Sequence, residues 1–455
     1  MADHEAIDRI VAERLDGWIA ELIEFLAISS EAGDPRALSV AATRTADRLR
    51  RLGCEIDVVE TTEAPPLVVG EIGSGPRVLT LVQHYDVQPA VPFELWTTPP
   101  YEPAIRDGRV WARGATDNKG EFMSRVWGVE AYLASGADLP CRVRFLVEGE
   151  EESGSRHLDA LLDRRPSLRD ADAALIEGGG LTDAGQPWID CGVRGMLGVE
   201  LVVRTAASDI HSSVAPLVPN AAARLASALA SLRDPEGGIA LDGFLDDVTP
   251  PSAATRASVR ALPTDDLDAI RDAYGVRRFV LDREGGDALE ALAFEPTVNI
   301  QGLWSGYTGP GDKTIVPAEA HARLDLRLVP DQDPDRVFDR LGTHLARRGF
   351  ADVEMHRFAW GRPWWTPTDH PIVAAAAAAS EAVAGRPAVV NPSMPGCAPM
   401  WQVCAARGVP NVSLGAGRND CMAHAPDENY RISDAASAAR MMGRFLDAFA
   451  GLPAL

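Results

Sequence analysis

The sequence predicts an α/β protein whose mostly parallel sheet lies between helices, with a second α+β domain inserted into it. Three observations predict this. Strand and helix signals alternate through the first 190 or so of the 455 residues, the pattern of a layered α/β sheet. Near residue 194 that texture gives way to long alternating strands and helices with little parallel logic. Past Trp365 the first pattern resumes, so the boundaries fall at 1–194, 195–363 and 364–455.

The opening "MADHEAIDRIVAERLDGW" has early acids and no apolar core, and reads as an amphipathic helix rather than a secretory leader. "RTADRLRRLG" is helical and stops at Gly53, a residue suited to a left-handed cap. "CEIDVVE", "PPLVVGEIG" and "RVLTLVQHYDV" follow as strands. The last is apolar almost throughout before His84, as a central strand is. "DNKGEFMSRVWGVEAYLASG" spaces Phe122, Val126, Val129 and Leu133 as one helical stripe ending near Gly136. "CRVRFLVEG" is a strand, "SRHLDALLDRR" a helix and "ADAALIEGGG" a strand running into glycines.

In the inserted part, "GMLGVELVVRT" and "AHARLDLRLVP" alternate as strands, and "NAAARLASALASL" sets Leu225, Leu229 and Leu232 on one helical side. A Pro- and Asp-rich stretch, roughly 234–268, reads as loop and short helix. After it, "HPIVAAAAAASEAVAG" is a helix and "VPNVSLGAG" a buried strand.

Composition narrows the function classes. A net charge of −22 disfavours a polyanionic partner, so nucleic acid is not expected. Each apolar run is interrupted by Asp, Arg or Gly, so no membrane span is expected. Six cysteines without a C-x-x-C pair suit a reducing cytoplasm.

The chemistry lies at strand ends. "HYDVQP" sets His84 and Asp86 two apart, where a carboxylate can fix an imidazole tautomer. "RGATDNKG" places Asp117 before a helix, where it serves equally as an N-cap. "EGEEESGS" crowds Glu148, Glu150, Glu151 and Glu152 beyond an apolar strand, and "LIEGGG" adds Glu177. Such crowding is costly without a counter-charge. Ligands of open α/β sheets gather beyond the strands' carboxyl ends, and "CMAHAPDENY" offers His424 to the same rim. Imidazoles and carboxylates in this number suit a pair of divalent metal ions, and a spare glutamate suits a general base.

In order and spacing, H-x-D, Asp-Asn-Lys-Gly, Glu-Glu, the later Glu and the C-terminal His resemble the M20 family of metallopeptidases over nearly the whole chain. The resemblance implies a di-zinc aminopeptidase-like catalytic domain with an inserted lid and dimerisation domain. It implies that His84 and Glu177 bind one zinc, Glu152 and His424 the other, and that Asp117 bridges them, with manganese or cobalt as alternative ions. Asp86 would orient His84, and Glu151 would be the general base for a metal-bridging hydroxide. A cis peptide bond after Asp117 is also implied. Glu148 and Glu150 are left as supporting or solvated groups.

In the insert, "SDIHSSVAP" resembles the lid segment whose histidine polarises the scissile carbonyl in the partner subunit, which assigns His211. "DKTIVPAEAHARLDLRLVPDQDP" resembles carnosinase-type dipeptidases, in which this arginine, Arg327 here, holds the substrate carboxylate. Asn299 and Thr308 are further lid candidates, and Gly396 and Cys397 line the pocket. Two departures bear on substrate. "NPSMPGCAPMW" puts Pro395 and Cys397 where dipeptidase relatives have Gly and Ser, and position 177 is Glu, which goes more with carboxypeptidases and deacylases than with dipeptidases. The expected protein is a cytoplasmic homodimer that cleaves the amide bond of a dipeptide or N-acyl amino acid with a free carboxylate. An alternative is an M20-fold enzyme with a biosynthetic amidohydrolase or acyl-transfer role, suggested by the "MPGCAP" loop. A metal-free binding protein is a third.

Overall fold

The computed structural model describes residues 2–260, 262, 264, 267–268, 271, 275–394 and 396–453. They form two compact units, Met1–Gly192 with Trp365–Met394 and Ala398–Leu455, and Val193–Trp364 with Pro395–Cys397. Pro395 lies outside the described residues.

The first unit opens with α1 (His4–Leu26) and α2 (Pro35–Leu52). Asp3 and Asp34 cap their N-termini through side-chain bonds to backbone N–H groups, and Gly53 ends α2 at φ 102° as its position after the stripe predicts. The strands β1 (Glu55–Val59), β2 (Leu67–Ile72) and β3 (Val78–His84) follow, then α3 (Lys119–Ala134), β4 (Arg142–Glu148), α4 (Leu158–Asp163) and β5 (Ala173–Ile176). The sheet runs β1-β2-β4-β3-β5 and closes on Asn411–Ser413. β3 is parallel to β4 and β5, and β5 to Asn411–Ser413, whereas β1 and β2 run antiparallel at one edge. Mixed α/β architecture with a mostly parallel sheet is therefore the observed fold class. In register His84 stands opposite Glu148, so two parallel strands deliver their final residues to one rim.

The helix α3 ends at Ala134, close to its expected end near Gly136, and 13 of its 16 residues are buried, Phe122, Val126 and Val129 of the stripe among them. It is wrapped by α1, α2, β3 and the helix Ile432–Ala450. Trp127 stacks on Trp18 at 5.5 Å, and Phe122 meets Phe25 and Phe145 edge-on. A Cβ on Gly128 would fall 2.5 Å from Met442 Cβ, so glycine permits that helix to approach. α4 is shorter than its pattern suggests because Glu150 holds residues 153–157 as a turn. Its carbonyl accepts from Ser153 N and Ser155 N at 3.1 and 2.8 Å, and its carboxylate meets His157 Nδ1 at 3.0 Å.

The second unit is built on an antiparallel sheet in the order Thr297–Ser305, Glu319–Leu328, Gly195–Arg204, Glu354–Gly361. Leu324, Leu326 and Leu328 are buried with residues of Ala221–Ala230 and Pro334–Arg347, while Arg323, Asp325 and Arg327 alternate onto the other face. The Pro- and Asp-rich stretch contains the short helix Ala253–Arg260, and parts of it lie outside the described residues. Among the described residues no helix is long and apolar enough to cross a membrane.

Candidate metal centre

Seven side chains of the first unit converge at the rim beyond β3, β4 and β5. His84 is the last residue of β3 and is 1% exposed. Asp86 lies past the strand rather than on it, yet its carboxylate Oδ1 comes 3.3 Å from His84 Nδ1. Its backbone oxygen is 3.1 Å from the same nitrogen. Asp86 also accepts from Glu151 N and Glu152 N at 3.3 and 3.0 Å. One buried carboxylate thus orients both the histidine and the glutamate turn.

With Nδ1 occupied, His84 turns Nε2 toward Asp117 Oδ1 at 3.1 Å and Glu177 Oε2 at 3.0 Å. Asp117's other oxygen, Oδ2, lies 3.0 Å from His424 Nε2, which is also 3.1 Å from Glu152 Oε2. Asp117 is not the N-cap of α3. That position belongs to Asn118, which makes no side-chain capping bond there, and Asn118 Nδ2 instead donates to Glu177 at 3.1 Å. The Asp117–Asn118 peptide is cis. Gly120 makes the preceding turn feasible, since a Cβ there would lie 1.9 Å from Ala115 O.

The donor set fits divalent cations. A tetrahedral ion with bonds of about 2.0–2.1 Å separates neighbouring ligand atoms by about 3.3 Å, close to the 3.0–3.1 Å seen around each Asp117 oxygen. Glu151 stands farther from His84 Nε2, at 4.0 Å, although His84, Glu151 and Glu177 could share an ion. Among the described residues, the ion pairs of Asp117, Glu151, Glu152 and Glu177 are with His84 or His424 and none is with Lys or Arg. Buried carboxylates so placed call for cations.

The titration of the metal-free cluster reflects that demand. Burial disfavours a charged His84, but Glu177, Asp117 and Asp86 outweigh it and hold its pKa well above the usual value. Bonds from Asp117 and Glu152 raise His424 to about 10 against burial. Burial would raise Asp117, yet its bonds to His424 and His84 keep it below the carboxylate range. Glu151 is pushed up by burial and by Glu177, and Glu177 by burial against the pull of His84. A metal-ligating imidazole nitrogen must be free of its proton, so an ion bound here would compete with protons for these histidines.

Several supporting residues carry weak sequence signals. Gln88, in the quoted "HYDVQP" segment, donates to Glu152 through N and Nε2 at 3.1 and 2.9 Å. Fully buried Lys119 donates to Ile28 O at 2.6 Å, and burial pulls its pKa to about 7. Glu148 is buried, accepts from Ser155 Oγ at 2.8 Å, and is raised to about 8 by burial and Asp86. Neither it nor Glu150 is a solvated group. Ala398, Pro399 and Met400 line one small cleft with His84, Glu151 and Glu177.

The second unit holds the other candidates. Arg327 Nη1 donates to Cys397 Sγ at 3.2 Å, and its Nε lies 3.4 Å from Asp325. The Gly396 carbonyl accepts from Arg194 N at 3.0 Å. Burial raises the Cys397 thiol despite Arg327, the opposite of what a nucleophilic thiolate needs. His211 is exposed, with Nδ1 2.9 Å from Ser213 Oγ. Asn299 and Thr308 are exposed on the strand Thr297–Ser305 and the loop after it.

The model of peptidase family M20/M25/M40 matches residues 80–448. Beta-Ala-His dipeptidase of Homo sapiens is 30% identical over 354 residues, covering 72% of this chain and 69% of that protein. Cys-Gly metallodipeptidase DUG1 of Saccharomyces cerevisiae is 28% identical over 287 residues, covering 62% of this chain and 59% of that one. The solved structure of an M20 family metallo-carboxypeptidase, Sso-CP2 from Sulfolobus solfataricus, superimposes with a TM-score of 0.89 at 35% identity. It covers 96% of this chain and 99% of that one.

Proposed function

The chain belongs to peptidase family M20/M25/M40 and is a hydrolase of the metallopeptidase kind, and from that membership we propose a dimetal enzyme that cleaves the amide bond of a dipeptide or N-acyl amino acid with a free carboxylate. The observation that carries the proposal is the division of Asp117. Each of its oxygens faces one histidine, beside Glu177 on one side and Glu152 on the other. His84, Glu177 and Asp117 would hold one ion and His424, Glu152 and Asp117 the second, with zinc the first choice and manganese or cobalt alternatives.

Bound there, the ions would supply Lewis acidity toward a scissile carbonyl and lower the pKa of a nearby water. Glu151 is placed to take a proton from the attacking water and return it to the leaving amine. Asp86 keeps His84 in the tautomer that presents Nε2. Arg327 binds the substrate carboxylate, a task suited to its planar fork, and Cys397 shapes the surface beside the guanidinium. Glu177 and the likeness to a metallo-carboxypeptidase support cleavage at a C-terminal residue.

The test is turnover of a panel of dipeptides and N-acyl amino acids by zinc-loaded protein, each offered with a free and an amidated C-terminus. Free-carboxylate members are expected to be cleaved about 10–100-fold more efficiently, the range of a lost charge-assisted bond. No cleavage of any member would remove the peptidase reading and leave the biosynthetic one.

We further propose that the enzyme works in the cytoplasm as a homodimer in which His211 stabilises the oxyanion in the partner's site. Ile300, Leu303, Trp304 and Phe358, exposed on the second unit, support a surface for a second copy, and six free cysteines support a reducing compartment. Mixing inactive Glu151→Gln and His211→Ala proteins is expected to restore about a quarter of wild-type turnover, because a random heterodimer contains one intact site. Unrestored activity in mixtures shown to exchange subunits would rule out action in trans.

A further inference from the structure

Glu428 and Asn429 tie the loop that carries Asp117 to the loop that carries His424. Glu428 is fully buried, and its carboxylate accepts four bonds. Arg113 Nη1 and Gly114 N reach Oε2 at 2.8 and 2.9 Å, and Thr116 N and Asp117 N each reach Oε1 at 3.0 Å. These donors span the turn before Asp117. Asn429 faces the other loop. Its Nδ2 donates to Asp420 O, Cys421 O and Asp427 O at 3.1, 3.3 and 3.1 Å, carbonyls on both sides of His424. The backbone joins the same clasp. Ala112 N donates to Glu428 O at 3.0 Å, and Thr116 Oγ1 to Asn429 O at 2.7 Å.

A carboxylate with four donors has no capacity left for an ion. Three of its bonds end on the backbone that aims Asp117, and none ends on the donor set.

We propose that Glu428 and Asn429 are positioning residues of the metal centre, Glu428 aiming Asp117 and Asn429 aiming His424. Adjacent residues thereby set the separation between the shared carboxylate and the second histidine. The inference rests on the dimetal reading above, and it divides the labour unequally. Glu428 acts on both ion positions, because both use Asp117. Asn429 acts on the His424 position alone.

The test compares zinc binding by wild type, Glu428→Gln, Glu428→Asp and Asn429→Ala, titrated against a chromophoric chelator, with thermal unfolding of each metal-free protein. Wild type is expected to bind two ions. In Glu428→Gln an amide N–H group faces backbone N–H donors, and both ions should weaken by about 10–100-fold. Glu428→Asp keeps the charge at shorter reach and should restore part of that loss. Asn429→Ala should weaken one ion and leave the other unchanged. Wild-type affinity for both ions in Glu428→Gln, even with a lowered metal-free unfolding midpoint, would overturn the assignment and mark a merely structural residue. Equal weakening of both ions in Asn429→Ala would overturn the division. A wild type that binds fewer than two ions would instead fail the dimetal reading. If Glu428→Gln does not fold, Glu428→Asp and Asn429→Ala carry the comparison.

Discussion

Glu151→Gln is expected to lower kcat by about 10²–10⁴-fold, the usual contribution of a positioned general base, with both ions retained and KM little changed. Glutamine keeps the shape and the backbone bond by which Asp86 holds residue 151, and it removes only the ability to take a proton. Among the proposed ligands and base, Glu151 is also the carboxylate farthest from a histidine nitrogen, 4.0 Å against 3.0–3.1 Å for Asp117, Glu152 and Glu177. Its loss should therefore leave the metal content intact. Metal analysis beside steady-state kinetics checks this. Wild-type kcat with full metal content would remove Glu151 from proton transfer, and loss of an ion would make it a ligand.

Asp117→Ala should strip both ions and abolish measurable turnover, a loss of at least about 10³-fold, since the metal ions supply several kcal/mol of the expected rate enhancement. Its two oxygens face two histidines, and among the described residues no other carboxylate of the cluster pairs with both. His424→Ala is the control. It should lose one ion and keep the position formed by His84, Glu177 and Asp117. Elemental analysis after dialysis distinguishes the cases, with circular dichroism to establish folding. Two ions retained in Asp117→Ala would refute the shared ligand.

Much of the fold was legible because periodicity records burial directly. The alternation of Glu319–Leu328 matches its observed burial residue for residue, and the apolar run before His84 is the middle of the sheet. The helix α3 stands where its stripe places it, although burial extends well beyond that stripe. α4 was overextended because the competing signal, Glu150 gripping His157, is a side-chain bond that leaves no period.

At the metal centre the residue types and order were readable without coordinates, since imidazoles and carboxylates at successive strand ends are costly unless cations join them. Alone, the sequence offered side chains of the right type to serve as ligands, whereas the roles expected of Glu151 and Arg327 came from the resemblance to the family. The sequence left Asp117 divided between N-cap and ligand, and it was silent on Gln88, Glu428 and the wider part played by Asp86. Tertiary structure removed the N-cap reading of Asp117 and showed the bonds that Gln88, Glu428 and Asp86 make. A hydrogen bond depends on distances of tenths of an ångström between residues such as Glu428 and Asp117, 311 positions apart. Local pattern carries no information on such a distance, and only the packed chain sets it.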